Sequence, residues 1–340
     1  RVVIVGGGIA GASVAYHLTR LGESDVAVLE HGTLTCGTSW HAAGLIMQLR
    51  SSHSLTELSR YNVEFYSRLE AETGRAVGFK QNGTLAIARS PDRLHEIRRS
   101  ATIAKSFGIQ AELVGPAQAQ ELYPAIDPGR VEGALFIPGD GQLNPVDAVM
   151  ALFAGAKGGG AKVFENTSVE CLQRRPTGFY RIETSSGTLE CEKLVLCCGL
   201  WTPKLAAQLG VRVPLYPCEH MYVVTEAMDF VAPTLPVLRD CDGYVYIKED
   251  AGKLLVGSFE PHGKPRALEN LPAEQRFIEL PEDWAHFELP YVKAMEIIPA
   301  LADVGIARFM NGPESFTPDS LFMLGEAPGA ANCFVAAGFN

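Results

Sequence analysis

No stretch of the sequence approaches 18 uninterrupted apolar residues, so nothing in it crosses a bilayer as a helix. Runs of Lys or Arg are missing too, and the formal charge is −10; this argues against a nucleic acid or an anionic membrane as partner. Cysteine is present but unpatterned. Cys36, Cys171, Cys191, Cys197, Cys198, Cys218, Cys241 and Cys333 form no Cys-x-x-Cys pair, and no His/Cys set has zinc spacing. A disulfide scaffold and a metal site therefore drop out, and the thiols read as small hydrophobes in a reducing compartment. Internal repeats and low-complexity tracts are absent, which sets aside solenoids and disordered tails. What remains is the balance of a packed enzyme, 47% apolar and 20% charged, on 340 residues, enough for two domains.

Against that plain background, residues 1–30 form one device. Arg1-Val2-Val3-Ile4-Val5 is the apolar run of a strand covered on both faces. Gly6, Gly8 and Gly11 follow as G-x-G-x-x-G, Ala12 to Leu21 reads as a helix ended by Gly22, and Asp25 to Leu29 as a second strand tipped by Glu30. The first glycine permits a tight turn and the second lets backbone N–H groups approach a pyrophosphate. The third allows close helix–strand packing, and the helix N-terminus favours the phosphate charge. Glu30, about 20 residues on, suits a ribose hydroxyl. This is a dinucleotide-binding βαβ unit; the fingerprint alone fits NAD and FAD alike.

Further along, periodicity predicts helices over 55–73, 91–107 and 145–158 and strands over 83–88, 134–137 and 161–164, with a tight turn at Gly139-Asp140-Gly141. Segments 169–171, 180–184 and 188–191 suggest a meander, and Leu194 to Cys198 a second fully apolar strand closed by Gly199. Beyond Pro214 alternating strands are expected at 220–225, 243–248 and 253–259, with a hairpin at Asp250-Ala251-Gly252. The proline-rich stretch 259–281 reads as a surface loop. The terminal Gly338-Phe339-Asn340 is expected to lead into further chain, so the lack of a leader peptide says nothing.

Interleaving of parallel-type and antiparallel-type segments predicts an α/β (α+β overall) architecture of two domains. A dinucleotide domain would collect 1–77, 139–212 and 311–340, and an antiparallel-sheet substrate domain 78–138 and 213–310. A pocket is expected where they meet.

The chain resembles the D-amino-acid-oxidase-like FAD-dependent oxidoreductases, within them the dimethylglycine/sarcosine dehydrogenase branch. The likeness covers essentially the whole chain. It rests on Gly6 to Glu30, on Thr38-Ser39-Trp40-His41-Ala42-Ala43-Gly44-Leu45, and on Pro214 to Thr225. It rests also on Pro236 to Asp240 leading into Tyr244-Val245-Tyr246, and on Asn311-Gly312-Pro313-Glu314-Ser315-Phe316-Thr317-Pro318-Asp319. The resemblance implies a Rossmann-like FAD-binding domain, with Gly6, Gly8, Gly11, Glu30, Val169 and Gly199 along the cofactor. It implies a covalent FAD link through His41, and His220 and Tyr246 flanking the substrate. Arg50 is a weaker candidate for a carboxylate anchor, and Arg239 a similar one. Taken singly, His220 reads equally well as a sheet histidine and Tyr246 as a strand tyrosine.

The implied reaction is oxidative N-demethylation of a small N-methylated amino acid such as dimethylglycine or sarcosine, releasing formaldehyde or a one-carbon unit. The amine must be neutral before hydride leaves its methyl carbon, which suits a histidine as proton acceptor. The resemblance further implies an electron-transfer flavoprotein as candidate acceptor, tetrahydrofolate only in a region beyond this sequence, and a bacterial cytoplasmic or mitochondrial-matrix setting. Two other functions fit the same residues: a flavoprotein-like regulatory subunit of a phosphatase, and an NAD-dependent dehydrogenase. Retention of both His220 and Tyr246 favours an enzyme, and Trp40-His41 favours FAD.

Overall fold

Two sheets organise the computed structural model, which describes residues 1–272 and 276–339. Strand Val2–Val5 lies at the centre of the six-stranded one, parallel to Val26–Leu29 on one side and to Lys193–Leu196 on the other. Lys162–Phe164 and Cys333–Ala337 extend it in parallel, and Met323–Glu326 closes one edge antiparallel. Because helices and a meander cover its two faces, the central strands are apolar throughout. Helices Ile9–Arg20, His53–Thr73 and Pro145–Gly158 pack Ala12, Ala15, Phe65, Leu69 and Phe153 against Val2, Ile4 and Val28. The opposite face buries Val3, Val5 and Leu196 under the meander Val169–Arg174, Tyr180–Thr184, Gly187–Cys191.

Helix boundaries follow local chemistry. Ser52, Ser90 and Asn144 each accept a hydrogen bond from backbone N–H groups of the first turn they cap, and Gly74 ends the second helix with φ of 68°. The 55–73 expectation therefore gains its first turn, from His53, through the Ser52 cap.

The eight-stranded sheet runs in the order Ile306–Phe316, Tyr216–Thr225, Lys253–Ser258, Val245–Asp250, Val237–Asp240, Thr84–Ala88, Gly133–Ile137, Glu112–Val114. Its neighbours are antiparallel except Val237–Asp240 and Thr84–Ala88. Alternation divides its faces. Leu85, Ile87, Val223, Leu238, Ile247 and Val256 point into a core shared with Phe287, Ala294 and Ile297 of helix Trp284–Ile297. His220, Tyr222, Tyr246 and Arg239 occupy alternate positions, on the other face.

Several expectations shift. Strand 194–198 ends at Leu196, and Cys197 and Cys198 lie in the turn beyond, where the Cys197 N–H donates to the Val5 carbonyl. Strand Ile306–Phe316 pairs with Tyr216–Thr225 up to Phe316, so the expected division between 310 and 311 passes through a strand of the antiparallel sheet. Stretch 259–281 is not a free surface loop: Leu271 and Ile278 are buried against Leu200, and Arg266 pairs with buried Glu219; its residues 273–275 lie outside the described ones. Helix Trp284–Ile297 escaped sequence reading because Pro290 sits inside it. The cysteines are all free, and burial lifts the Cys36, Cys191 and Cys197 thiols to about 12, so they stay protonated. Among the described residues no helix is long and apolar enough to cross a membrane.

Candidate functional site

The glycine turn is built by close approach. At Gly6, φ is 116° and a Cβ would lie 2.2 Å from the Cys197 carbonyl oxygen; at Gly11 it would lie 2.0 Å from that of Gly6. Helix Ile9–Arg20 begins at Gly8 with no side-chain cap of its own, and the Ile9 N–H donates to Ser39 Oγ at 3.0 Å. Glu30 is 5% exposed and accepts from Gly7 N–H at 2.6 Å and Gly32 N–H at 2.8 Å. Burial raises its carboxyl, but the His31 bond and these backbone donors outweigh that and hold it below the ordinary value. An ionised acid therefore faces the cavity at the tip of the second strand.

That cavity, about 330 Å³, is lined by Gly6, Gly8, Glu30, Val169 and Gly199 together with Ser39 and Ser315. Gly11 does not line it; its role is the helix–strand contact. A backbone wall where side chains would collide, a helix N-terminus with no cap of its own and an ionised acid in the cavity lining fit the pyrophosphate and ribose of a dinucleotide.

His41 lies beyond Ser39, in the turn Ser39–His41. Its ring packs so closely on Gly312 that a Cβ there would stand 2.8 Å from Nε2. The ring is buried, and Nε2 has no hydrogen-bond partner. Burial first, and then the nearby His220, lower its pKa to about 4, so the imidazole is neutral at physiological pH. A buried polar atom without a partner is costly in a native protein and calls for an explanation. A bond to a cofactor atom would satisfy it.

Gly312 is also the cross-strand partner of His220, so sheet register brings the two histidines together. His220 Nε2 lies 3.1 Å from the Tyr246 hydroxyl, and Nδ1 lies 3.8 Å from Glu314 Oε2. Phe259 covers the imidazole at 4.6 Å between centroids. Burial, and after it the Glu314 charge, push the Tyr246 phenol well above its ordinary range, so it remains a proton donor. Tyr246 fits only because its cross-strand neighbour is Gly257, where a Cβ would fall 2.1 Å from the ring.

Arg50 donates to Ser59 Oγ at 3.1 Å and makes no hydrogen bond or ion pair with His220, Tyr246 or Glu314 among the described residues. Arg239 pairs in register with Tyr246 and lines a second cavity of about 140 Å³ with Asp140, Thr84 and Ala86. Asp140 is 1% exposed; burial lifts its carboxyl to about 6, although Gln48 N–H donates to it at 2.8 Å and Arg239 opposes the shift. A carboxyl raised on folding weakens the fold as pH climbs from the unfolded value of 3.8 through about 6. Asp140→Asn keeps the acceptor for Gln48 and removes the charge. It is expected to stabilise the protein by about 1–3 kcal/mol above pH 7 and by nothing below pH 4. Thermal denaturation at both pH values measures this, and a loss of stability at pH 7 would mean that Arg239 holds Asp140 ionised.

Sequence reading did not find Glu314, Ser39 or Asp140 as site residues. Glu314 stood inside a quoted motif, but only the pairing of Ile306–Phe316 with Tyr216–Thr225 aims it at His220. Ser39 carried no signal beyond its place beside Trp40.

A nucleotide cradle joined to a sheet that carries a partly buried His–Tyr pair defines a flavin-type oxidoreductase fold. The model of the family described as FAD dependent oxidoreductase matches residues 1–340, and the chain belongs to that family. It is 44% identical over its whole length to the 4-methylaminobutanoate oxidase (formaldehyde-forming) of Paenarthrobacter nicotinovorans, covering 41% of it. It is 36% identical to the mitochondrial sarcosine dehydrogenase of Homo sapiens, covering all of this chain and 37% of that one. A mitochondrial pyruvate dehydrogenase phosphatase regulatory subunit of Mus musculus is 34% identical, again over all of this chain and 39% of its own length. The chain thus spans about two fifths of these curated relatives. Among solved structures, L-proline dehydrogenase from P. horikoshii superposes with a TM-score of 0.90 at 25% identity, covering 100% of this chain and 87% of that one. The nicotinamide alternative gives way to FAD.

Proposed function

We propose that this chain is the flavin domain of an oxidoreductase acting on the CH–NH group of a small N-methylated amino acid, by oxidative N-demethylation. One observation carries the reading: the contact of 3.1 Å between partly buried His220 and buried Tyr246, beside a histidine whose Nε2 is unsatisfied. When bound, FAD supplies the acceptor for hydride from the N-methyl carbon. The protein's part is to deliver the amine in its neutral form, because the nitrogen lone pair must stabilise the iminium as hydride leaves. The substrate ammonium loses its proton to the Tyr246 oxygen as the phenol proton passes to His220 Nε2. Water then adds to the iminium carbon, giving formaldehyde and the demethylated amine. Phe259 packs against both rings, with its centroid 4.6 Å from the imidazole and 5.5 Å from the phenol. Arg50 and Arg239 are the cationic side chains proposed to hold the substrate carboxylate. The name of the 44%-identical relative widens the candidates from dimethylglycine and sarcosine to 4-methylaminobutanoate. A purely regulatory role, as named for the phosphatase subunit, needs neither His220 nor Tyr246.

His41 Nε2 is the atom proposed to bond FAD: the ring is neutral and buried, and that atom has no hydrogen-bond partner. The wild-type holoenzyme should give a yellow pellet in acid, and His41→Ala a colourless pellet with any flavin in the supernatant. Anaerobic addition of dimethylglycine, sarcosine or 4-methylaminobutanoate should bleach the wild-type absorbance. Omitting oxygen or an electron-transfer flavoprotein in turn then identifies the acceptor. A protein that bleaches with none of the three amines would overturn the proposed reaction. Flavin released in full by acid would overturn the covalent link.

A further inference from the structure

We propose that Glu314 is the positioning residue of His220: its carboxylate holds the imidazole with the proton on Nδ1 and so presents the Nε2 lone pair to the Tyr246 hydroxyl. This rests on the reading of His220 and Tyr246 given above. The two groups meet different nitrogens of one ring: Glu314 Oε2 stands 3.8 Å from Nδ1, and the Tyr246 oxygen 3.1 Å from Nε2. Glu314 and His220 lie on adjacent strands of one sheet, where Gly312 pairs with His220 and Glu314 is the next residue on the same face. Rigid strands, not loops, therefore set the distance.

Glu314 Oε2 is buried and has no hydrogen-bond partner. An ionised carboxylate in that state is costly, and the cost falls when a cation or an N–H group meets it. The groups that face His220 are few. Tyr246 comes from strand Val245–Asp250, His41 from the turn Ser39–His41, and Glu314 from Ile306–Phe316. Glu260 and Tyr222 act on the Tyr246 side. Tyr246 and His41 are neutral, so Glu314 is the anion poised to meet the imidazolium. Burial raises the Glu314 carboxyl above its ordinary value and only His220 opposes that. A separation of 3.8 Å is longer than a hydrogen bond, and such contacts tighten when substrate binds. The balance is simple: the ammonium N–H bond breaks, an Nε2–H bond forms, and Nδ1–H stays on the ring, donating to Glu314.

The test uses the flavin-loaded full-length enzyme. Glu314→Gln removes the anion, so the acid limb of kcat/KM against pH should move down by about one unit, with kcat/KM at neutral pH falling about tenfold. Glu314→Asp should restore part of the loss. In a His220→Ala background, Glu314→Gln should add nothing further, because the two act as a unit. Imidazole ¹⁵N resonances give a readout free of turnover: His220 should be protonated at Nδ1 in the wild type and a tautomer mixture in Glu314→Ala. If His220→Ala leaves turnover intact, the proposed function fails while the resonances still decide the tautomer. If His220→Ala is impaired but Glu314→Gln keeps the wild-type acid limb, or Glu314→Ala the wild-type tautomer, Glu314 is only packing. Should Glu314→Gln not fold, the aspartate variant and the wild-type resonances carry the same decision.

Discussion

His220→Ala is expected to lower the rate of anaerobic flavin bleaching by about 10²–10⁴, the range for loss of a positioned general base. The argument lies in what the ring touches. Nε2 meets the Tyr246 hydroxyl and the imidazole face meets Phe259, so alanine leaves a buried phenol without its acceptor. Tyr246 cannot substitute as a base, because burial holds its phenol well above the ordinary range. Neighbouring His41 cannot either: burial, the larger cause of its lowered pKa, remains in the variant, and its Nε2 is the atom proposed to bond FAD. The substrate ammonium then has no acceptor except water. Flavin content should be unchanged, because the glycine cradle, Glu30 and the proposed His41 bond are all left in place. Stopped-flow bleaching with a saturating N-methylated amino acid measures the effect. A rate within a few-fold of wild type would remove His220 from the chemistry. Tyr246→Phe should cost less, since the imidazole could then take the proton directly.

Gly11→Ala should abolish flavin binding and destabilise the amino-terminal βαβ unit. The added Cβ would lie 2.0 Å from the Gly6 carbonyl oxygen, a backbone atom that cannot rotate away. Either helix Ile9–Arg20 lifts from strand Val2–Val5 or the turn carrying Gly6 and Gly8 distorts, and each destroys the phosphate cradle. Overpacking of this kind costs about 1–3 kcal/mol even where side chains can yield, and here none is available to do so. Gly158→Ala is the control: the glycine ends helix Pro145–Gly158, and an added Cβ there meets nothing within 4 Å. It should be neutral or slightly stabilising. The ratio of flavin to protein and the melting temperature of both variants decide the matter. Stoichiometric flavin and an unchanged Tm in Gly11→Ala would refute the close-packing argument.

The amino-terminal unit was legible at the level of single residues because every part of it is local. Strand, turn, helix and acid follow one another within 30 residues, and each has its own chemical signature. The meander of 169–191 and the hairpin at Asp250-Ala251-Gly252 were readable for the same reason: alternation and turn residues are short-range signals. Helix Trp284–Ile297 was not readable, because its buried Pro290 contradicts local propensity and only packing against the sheet justifies it. Likewise the fate of 259–281 was set by contacts with Leu200 and Glu219, residues distant along the chain.

Local pattern alone thus settled the class of fold and the glycine cradle, while resemblance nominated His41, His220 and Tyr246. Only folding in three dimensions put those three side by side. Cross-strand register sets His220 opposite Gly312, against which the His41 ring packs from its turn; it also clears room for Tyr246 at Gly257 and turns Glu314 toward His220. Such pairings join positions that the linear order keeps far apart, and a shift of one residue would turn each side chain to the opposite face.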